Sequence, residues 1–249
     1  MIMSFTVGPI PVYDVDGAFC WRSGLAEDFD GAARAYKPGG GGLDHCQNAL
    51  RYPEADKASA LNPLTILPVH GWCGVACDVR RGPDGKVIVD PKTGEPLQGY
   101  PFVQTSDDLA PGYLVATTKL VDPAYPESCS RRFVDAEHVP FLARPPELLE
   151  QGVHMGDVAA VCRRLASGTW ISRACLFADV GPSGHLTEGS YALTHALSVP
   201  GGASGGIFVI SWPGSALTPP WPRSLADIEA QVAPLFETWG GTARLRTVV

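Results

Sequence analysis

The stretch "LFADVGPSGHLTEGS" (176–190) carries one aspartate, Asp179, and one glutamate, Glu188, nine positions apart. Asp179 follows the apolar Leu176, Phe177 and Ala178 and precedes Val180, Gly181 and Pro182. That order reads as a strand ending at Asp179, with a sharp turn at the rim of a sheet or barrel. Glu188 falls at or just before the first turn of a helix over "SYALTHAL". Two rigid elements would then present two carboxyls across one short loop. Hydrolysis of a glycosidic bond needs such a pair: one acid protonates the departing oxygen, and the other activates water or attacks the anomeric carbon. The same residues also suit structural roles, because Asp before Gly-Pro forms turns and Glu near a helix start complements the dipole. A helix start stabilises the ionised form, so a proton donor at Glu188 requires burial or the Asp179 charge to outweigh the dipole.

The elements that must position this pair are strands. "GDVAAVCRRL" and "TWISRACLFAD" are apolar and partly β-branched and flank "ASG", which predicts a β-hairpin; a helix over the first of them is the alternative. "GGIFVISW" (205–212) reads as a buried strand, "KVIVD" as a short strand between two turns, and "GYLVATTKLVD" (112–122) as strand-like. "SLADIEAQVAPLFETWGG" is the clearest helix. Ser224 is its N-cap, with Asp227 three residues on, and Leu225, Ile228, Val232, Leu235 and Trp239 form its stripe. Gly240 and Gly241 end it, and Pro234 is expected to kink it. "GGASGG" (201–206) reads as a flexible turn, because no Lys-bearing phosphate loop surrounds it.

The 249 residues contain 28 Gly and 23 Pro, which point to many turns rather than a helical bundle. No linker or repeat appears, so one domain over 1–249 is expected. The net charge of −7 disfavours nucleic acid and anionic membrane surfaces, and no apolar run approaches the roughly 18 residues of a membrane span. The seven cysteines are an odd number, which leaves at least one unpaired within the chain. "MIMSFTVGPIPVYDVDG" lacks the basic region, apolar run and cleavage site of a conventional secretory signal.

Other stretches carry weaker chemical signals. Asp28 and Asp30 in "EDFDG" would form a tight turn, or a rim subsite whose carboxylates bind the ammonium of a glucosamine unit. Asp14 and Asp16 in "YDVDG" read as turn residues. His70, Cys73 and Cys77 lie close together, but no second ligand pair follows at a zinc-like spacing, so no metal is expected. His185 lies in the loop between the two acids and is a substrate-contact candidate; His195 is expected to pack inside its helix. Trp72, Trp170, Trp212 and Trp221 are candidates to stack on sugar rings, with Trp221 the most exposed.

"MGDVAAVCRRLASGTWISRACLFADVGPSGHLTEGSYALTHALSV", with "HVPFLARP" before it and "GGIFVISWPGS" after it, resembles the catalytic core of the glycoside hydrolase family 75 chitosanases. The matching motifs are Gly156-Asp157 through Val161, Asp179 through Pro182, Glu188-Gly189-Ser190 and Ile207 through Ser215. "EDFDGAARAYKPGGGGLDHCQNA" (27–49) is similar to the family's N-terminal stretch and adds Asp44 as a subsite candidate. Thr187 stands where the family usually has Gly, and the section 50–137 departs most from its pattern.

The resemblance implies a mainly β fold, a single domain with a six-stranded, double-psi-like β-barrel core and a few peripheral helices. It implies an inverting endo-glycosidase of β-1,4 glucosamine polymers, with Glu188 as acid and Asp179 as base. No cofactor is called for. The expected partner is a polysaccharide, met by a monomer outside the cell and reached by an unconventional export route. Two rival readings remain: a peptidoglycan-cleaving effector with the same acids, and a non-catalytic carbohydrate-binding module.

Overall fold

The computed structural model describes residues 3–38, 41–44, 50–51, 67–68, 74–186 and 188–248. The strands in chain order are β1 (Met3–Val7), β2 (Ile10–Val15), β3 (Ala18–Asp28), β4 (Leu50–Arg51), β5 (Leu67–Pro68), β6 (Cys77–Val79), β7 (Gln98–Pro101), β8 (Phe141–Ala143), β9 (Val158–Arg164), β10 (Trp170–Asp179), β11 (Glu188–Ser190) and β12 (Ala203–Trp212). The helices are α1 (Pro146–Glu150), α2 (Tyr191–Ala196), α3 (Leu225–Trp239) and α4 (Gly241–Val248).

The chain divides into two compact units. The first gathers Met1–Asp28, Thr118–Asp122 and Ala136–Val249; the second is Phe29–Thr117 with Pro123–Asp135.

The first unit is a closed six-stranded barrel in the order β3-β11-β8-β10-β9-β12, with β12 pairing back onto β3. The β11–β3 and β10–β8 pairs are parallel and the other four antiparallel. β1 and β2 lie outside the closure and hydrogen-bond through β2 to β3. The mainly β barrel with few helices is the fold class the sequence predicts. Closure leaves these strands no free edge to pair with another chain.

Alternation along the strands sorts the core into two layers. Trp21, Leu25, Val161, Phe177, Ile207 and Val209 share one buried cluster. The alternate residues Cys20, Cys162, Phe208 and Ile210 pack with Trp239 of α3 and Leu245 of α4. The helix-covered layer is therefore outside the barrel, and the first cluster fills its interior.

The predicted β9–β10 hairpin forms in continuous register from Trp170↔Arg164 to Leu176↔Val158. α3 starts on the Ser224–Asp227 capping box and stops at Gly240, whose φ of 110° suits only glycine. The helix continues through Pro234 to Trp239. Ile228, Val232 and Trp239 are buried while Leu225 is exposed, and α4 follows without a sequence signal.

"GGASGG" is not a free turn. Ala203 pairs with Leu25 and Ile207 with Ser23, so Ser204, Gly205 and Gly206 form a bulge that opens β12 away from β3. Asp157 is fully buried and accepts backbone N–H bonds from His154, Gly214 and Ala216 at 2.7–3.0 Å, tying the start of β9 to the segment after β12. Asp14 accepts from Gly17 N–H at 2.9 Å, the turn expected there.

In the second unit, β4 pairs with β5 and β6 with β7. The Gln104 side chain donates to Ala33 O and Leu114 O and accepts from Ala110 N–H. "KVIVD" is not a strand. Val87 and Val89 make single bridges, and Val87, Ile88 and Val89 remain exposed, so no buried face holds them as a strand. Residues 112–122 likewise make isolated bridges, at Leu114, Ala116 and Val121, rather than a strand.

Trp221 is buried, contrary to its expected exposure, and His195 is exposed rather than packed. His70, Trp72, Cys73 and Cys46 lie outside the described residues. The described cysteines, Cys20, Cys77, Cys129, Cys162 and Cys175, are free thiols, and burial pushes Cys20 and Cys162 up to about 12. Among the described residues no helix is long and apolar enough to cross a membrane. Nor, among them, do three or more His, Cys, Asp or Glu side chains gather in a metal-holding group.

Candidate active site

Register places the two acids. Asp179, the last residue of β10, pairs with Ala143 of β8. Gly189 pairs with Leu142 in an antiparallel ladder, so Glu188 also stands opposite Ala143. Glu188 then pairs with Ala26 of β3. Asp179, Ala143, Glu188 and Ala26 thus form one row across four adjacent strands at the barrel rim. Residues in register share a face. Leu142 and Leu25 point into the barrel, so Ala143, Ala26 and Glu188 point out; a register shift between Phe177 and Asp179 breaks the alternation of β10 and turns Asp179 to that same outer face. A Cβ on Gly189 would meet Leu25 and Leu193 at 2.9–3.0 Å, which confirms that Gly189 faces inward.

Two strand spacings separate the backbones of Asp179 and Glu188 by about 9–10 Å. The residue between them is an alanine, and Gly181, which has no side chain, borders the same gap. Inverting glycosidases hold their carboxyls ~6.5–9.5 Å apart to leave room for a water.

The environments of the acids differ. Asp179 Oδ1 accepts from Lys119 N–H at 3.0 Å and Val180 N–H at 2.8 Å. Lys119 belongs to the segment Thr118–Asp122, which Leu120 N–H anchors to Ala178 O at 2.8 Å. Both donors favour the carboxylate, as does the Lys119 charge, yet burial and the Glu188 charge prevail and push Asp179 up to about 6. Oδ2 is left to carry the proton. Burial also raises Glu188, with His185 opposing it. Glu188 does not feel the start of a helix as the sequence predicts: it lies in β11, and Ser190 caps α2 by accepting from Leu193 N–H at 3.2 Å.

The loop between the acids is held from outside. Glu147 of α1 accepts from the Ser183 hydroxyl and from Gly184 N–H at 2.9 Å, and the Ser183 bond holds its carboxyl below the usual range. His185 is exposed and acts electrostatically on both Glu147 and Glu188. Glu147 gave no sequence signal, since an acid in a first turn usually serves the dipole alone.

Asp28 pairs with Ser190, two residues along β3 from Ala26. It therefore lies on the same face as Glu188, one diagonal step away, about 7–8 Å between backbones. Asp30 and Asp44 belong to the second unit. Asp30 accepts from the Tyr36 hydroxyl and from Gly74 N–H, a structural arrangement, and Asp44 is buried, its N–H donating to Ala35 O at 3.0 Å. Glu27, which the sequence did not single out, accepts from Thr194 Oγ1 and Gly201 N–H and lies 3.6 Å from His195, tying α2 to β3.

Gly181 sets the position of Glu188. Its φ is not in the left-handed region, but a Cβ there would sit 3.0 Å from Glu188 Oε2 and 3.4 Å from Ala143 Cβ. Gly181→Ala is expected to displace the carboxyl by a fraction of an ångström. Turnover should fall ~10–100-fold, while the melting temperature stays within a few degrees. Steady-state kinetics beside a thermal melt check this; unchanged kcat would mean the Glu188 position is irrelevant to turnover.

No protein-family model matches the chain, and no curated protein matches it.

Proposed function

We propose that the chain is an inverting endo-glycoside hydrolase of β-1,4-linked amino-sugar polymers, with chitosan as its simplest substrate. The observation that carries the reading is the in-register row that sets Asp179 and Glu188 on either side of Ala143. The electrostatics favour the reverse of the roles expected from sequence. Asp179, up at about 6, is the better proton donor, and the less buried Glu188 the better base.

In the reaction, the polymer lies over the outer face of the rim. Asp179 passes the Oδ2 proton to the glycosidic oxygen as the C1–O bond breaks. A water in the gap above Ala143 attacks C1 from the opposite face and yields its proton to Glu188. Asp28, on the same face, is placed to hold a sugar ammonium by a charge-assisted hydrogen bond. The products are a new nonreducing hydroxyl and an α-configured reducing end.

Proton NMR of fresh protein with a glucosamine hexamer, beside an N-acetylglucosamine hexamer, tests this. The α-anomer is expected to appear before mutarotation. Initial β-anomer would overturn inversion, and no cleavage of any amino-sugar polymer would overturn the hydrolase reading.

A further inference from the structure

A groove of about 760 Å³ lies on the first unit between β3 and the bulge of β12. Its floor runs from Arg22 to Ala26, and residues 201–206, four of them glycine, line its far wall. Ala26 is the last member of the row that holds Asp179 and Glu188, so the groove opens directly onto the proposed cleavage site. From Ala26 to Arg22 the strand advances about 13 Å, enough for more than one hexose ring.

Two features indicate what the groove holds. The first is charge. Arg22 is the one ionisable residue lining it, and among the described residues no carboxylate pairs with its guanidinium, which lies over the Phe208 ring at 5.2 Å. An arginine stacked on an aromatic keeps its planar fork of N–H donors in a fixed orientation, suited to a carboxylate. The second is Gly205. Its backbone does not require glycine, and a Cβ there would meet nothing within 4 Å. A bare backbone beside an open groove fits close approach of a ligand.

We propose that this groove is a subsite for a carboxylate-bearing hexopyranose unit of the polymer, one or more residues from the cut. The proposal rests on the hydrolase reading and deepens it. The polymer is then an amino-sugar chain with acidic units, rather than pure glucosamine. Such a carboxylate comes either from a lactyl ether on an amino sugar, as in peptidoglycan, or from a uronic acid.

Binding separates this from turnover. The full chain carrying Glu188→Gln is titrated, by calorimetry, with three oligosaccharides of equal length. One contains lactyl-ether amino sugars, one glucuronic acid, and one only N-acetylglucosamine. At least one acidic oligosaccharide is expected to bind about tenfold or more tightly than the neutral one, and the tighter of the two identifies the carboxylate's source. Adding Arg22→Gln should abolish that preference without changing neutral binding. Gly205→Val should weaken all three, with the fold intact. Equal Kd values for acidic and neutral oligosaccharides, or a preference that survives Arg22→Gln, would overturn the subsite. Cleavage by the wild-type chain without charge preference would sink the subsite and spare the hydrolase. Charge-selective binding without cleavage would do the opposite.

Discussion

Glu188→Gln and Asp179→Asn are each expected to lower kcat on an unactivated oligosaccharide by about three orders of magnitude, with the fold retained. The two losses should differ in what repairs them. An aryl glycoside with an acidic phenol leaves without protonation. Asp179→Asn should therefore keep most of its activity on that substrate, and Glu188→Gln should not. Removing the base instead leaves a gap that a small anion can enter. Glu188→Ala with azide should regain turnover and release an α-glycosyl azide, in which the new C1–N bond replaces the bond that water would have formed.

The pH profile follows from the same assignment. Asp179 acts while protonated, so kcat/KM of the wild type should fall as pH rises through about 6. Glu188 acts while ionised, so activity should also fall on the acid side, beginning above the ordinary glutamate value because burial raises it. On the activated substrate, Asp179→Asn should lose the alkaline limb and keep the acid one. If Glu188→Gln loses the alkaline limb instead, the roles are those the resemblance implied, with Glu188 the donor. If both variants keep wild-type turnover, neither carboxyl is catalytic.

The parts of this site that could be read from sequence are those encoded locally. The β9–β10 hairpin, the capping box at Ser224 and the strand end at Asp179 each depend on residues close in the chain, where turn chemistry and alternation suffice. The acids' relation is different. It passes through Ala143, a small residue on a strand far from either in sequence, and only the mixed pairing of β10, β8 and β11 makes it their neighbour. Asp28 and Asp30 show the reverse. They are two residues apart, yet β3 ends between them, and each belongs to a different unit. Arg22 carries no signal in the sequence, because the bulge that opens a groove beside it is a mismatch of two strands and has no signature in either alone. "KVIVD" misled for a related reason: β-branched residues make a strand only where a face of them is covered.

The same burial that makes Asp179 a donor has a consequence for stability. Its folded pKa of about 6 lies above the 3.8 of the unfolded carboxyl. Below pH 4 the group is protonated in both states and costs nothing. Between about pH 4 and 6 the unfolded chain has released this proton while the folded protein still holds it, so stability falls with rising pH and levels off, about 3 kcal/mol lower, once the folded carboxyl ionises above 6. Asparagine removes that ionisation. Its Oδ1 can still accept from Lys119 N–H and Val180 N–H, because both bonds converge on the one oxygen. Asp179→Asn is therefore expected to melt at the same temperature as the wild type near pH 4 and several degrees higher at pH 8, with the gap opening between pH 4 and 6. Melts of both proteins across that range provide the comparison. A constant gap would assign the difference to packing, and a variant less stable at pH 8 would mean that the carboxylate is a net anchor of the Lys119 segment. A gap that opens as described would mean the fold sustains an energetically costly group at this rim position, a cost that catalysis accounts for and structure alone does not.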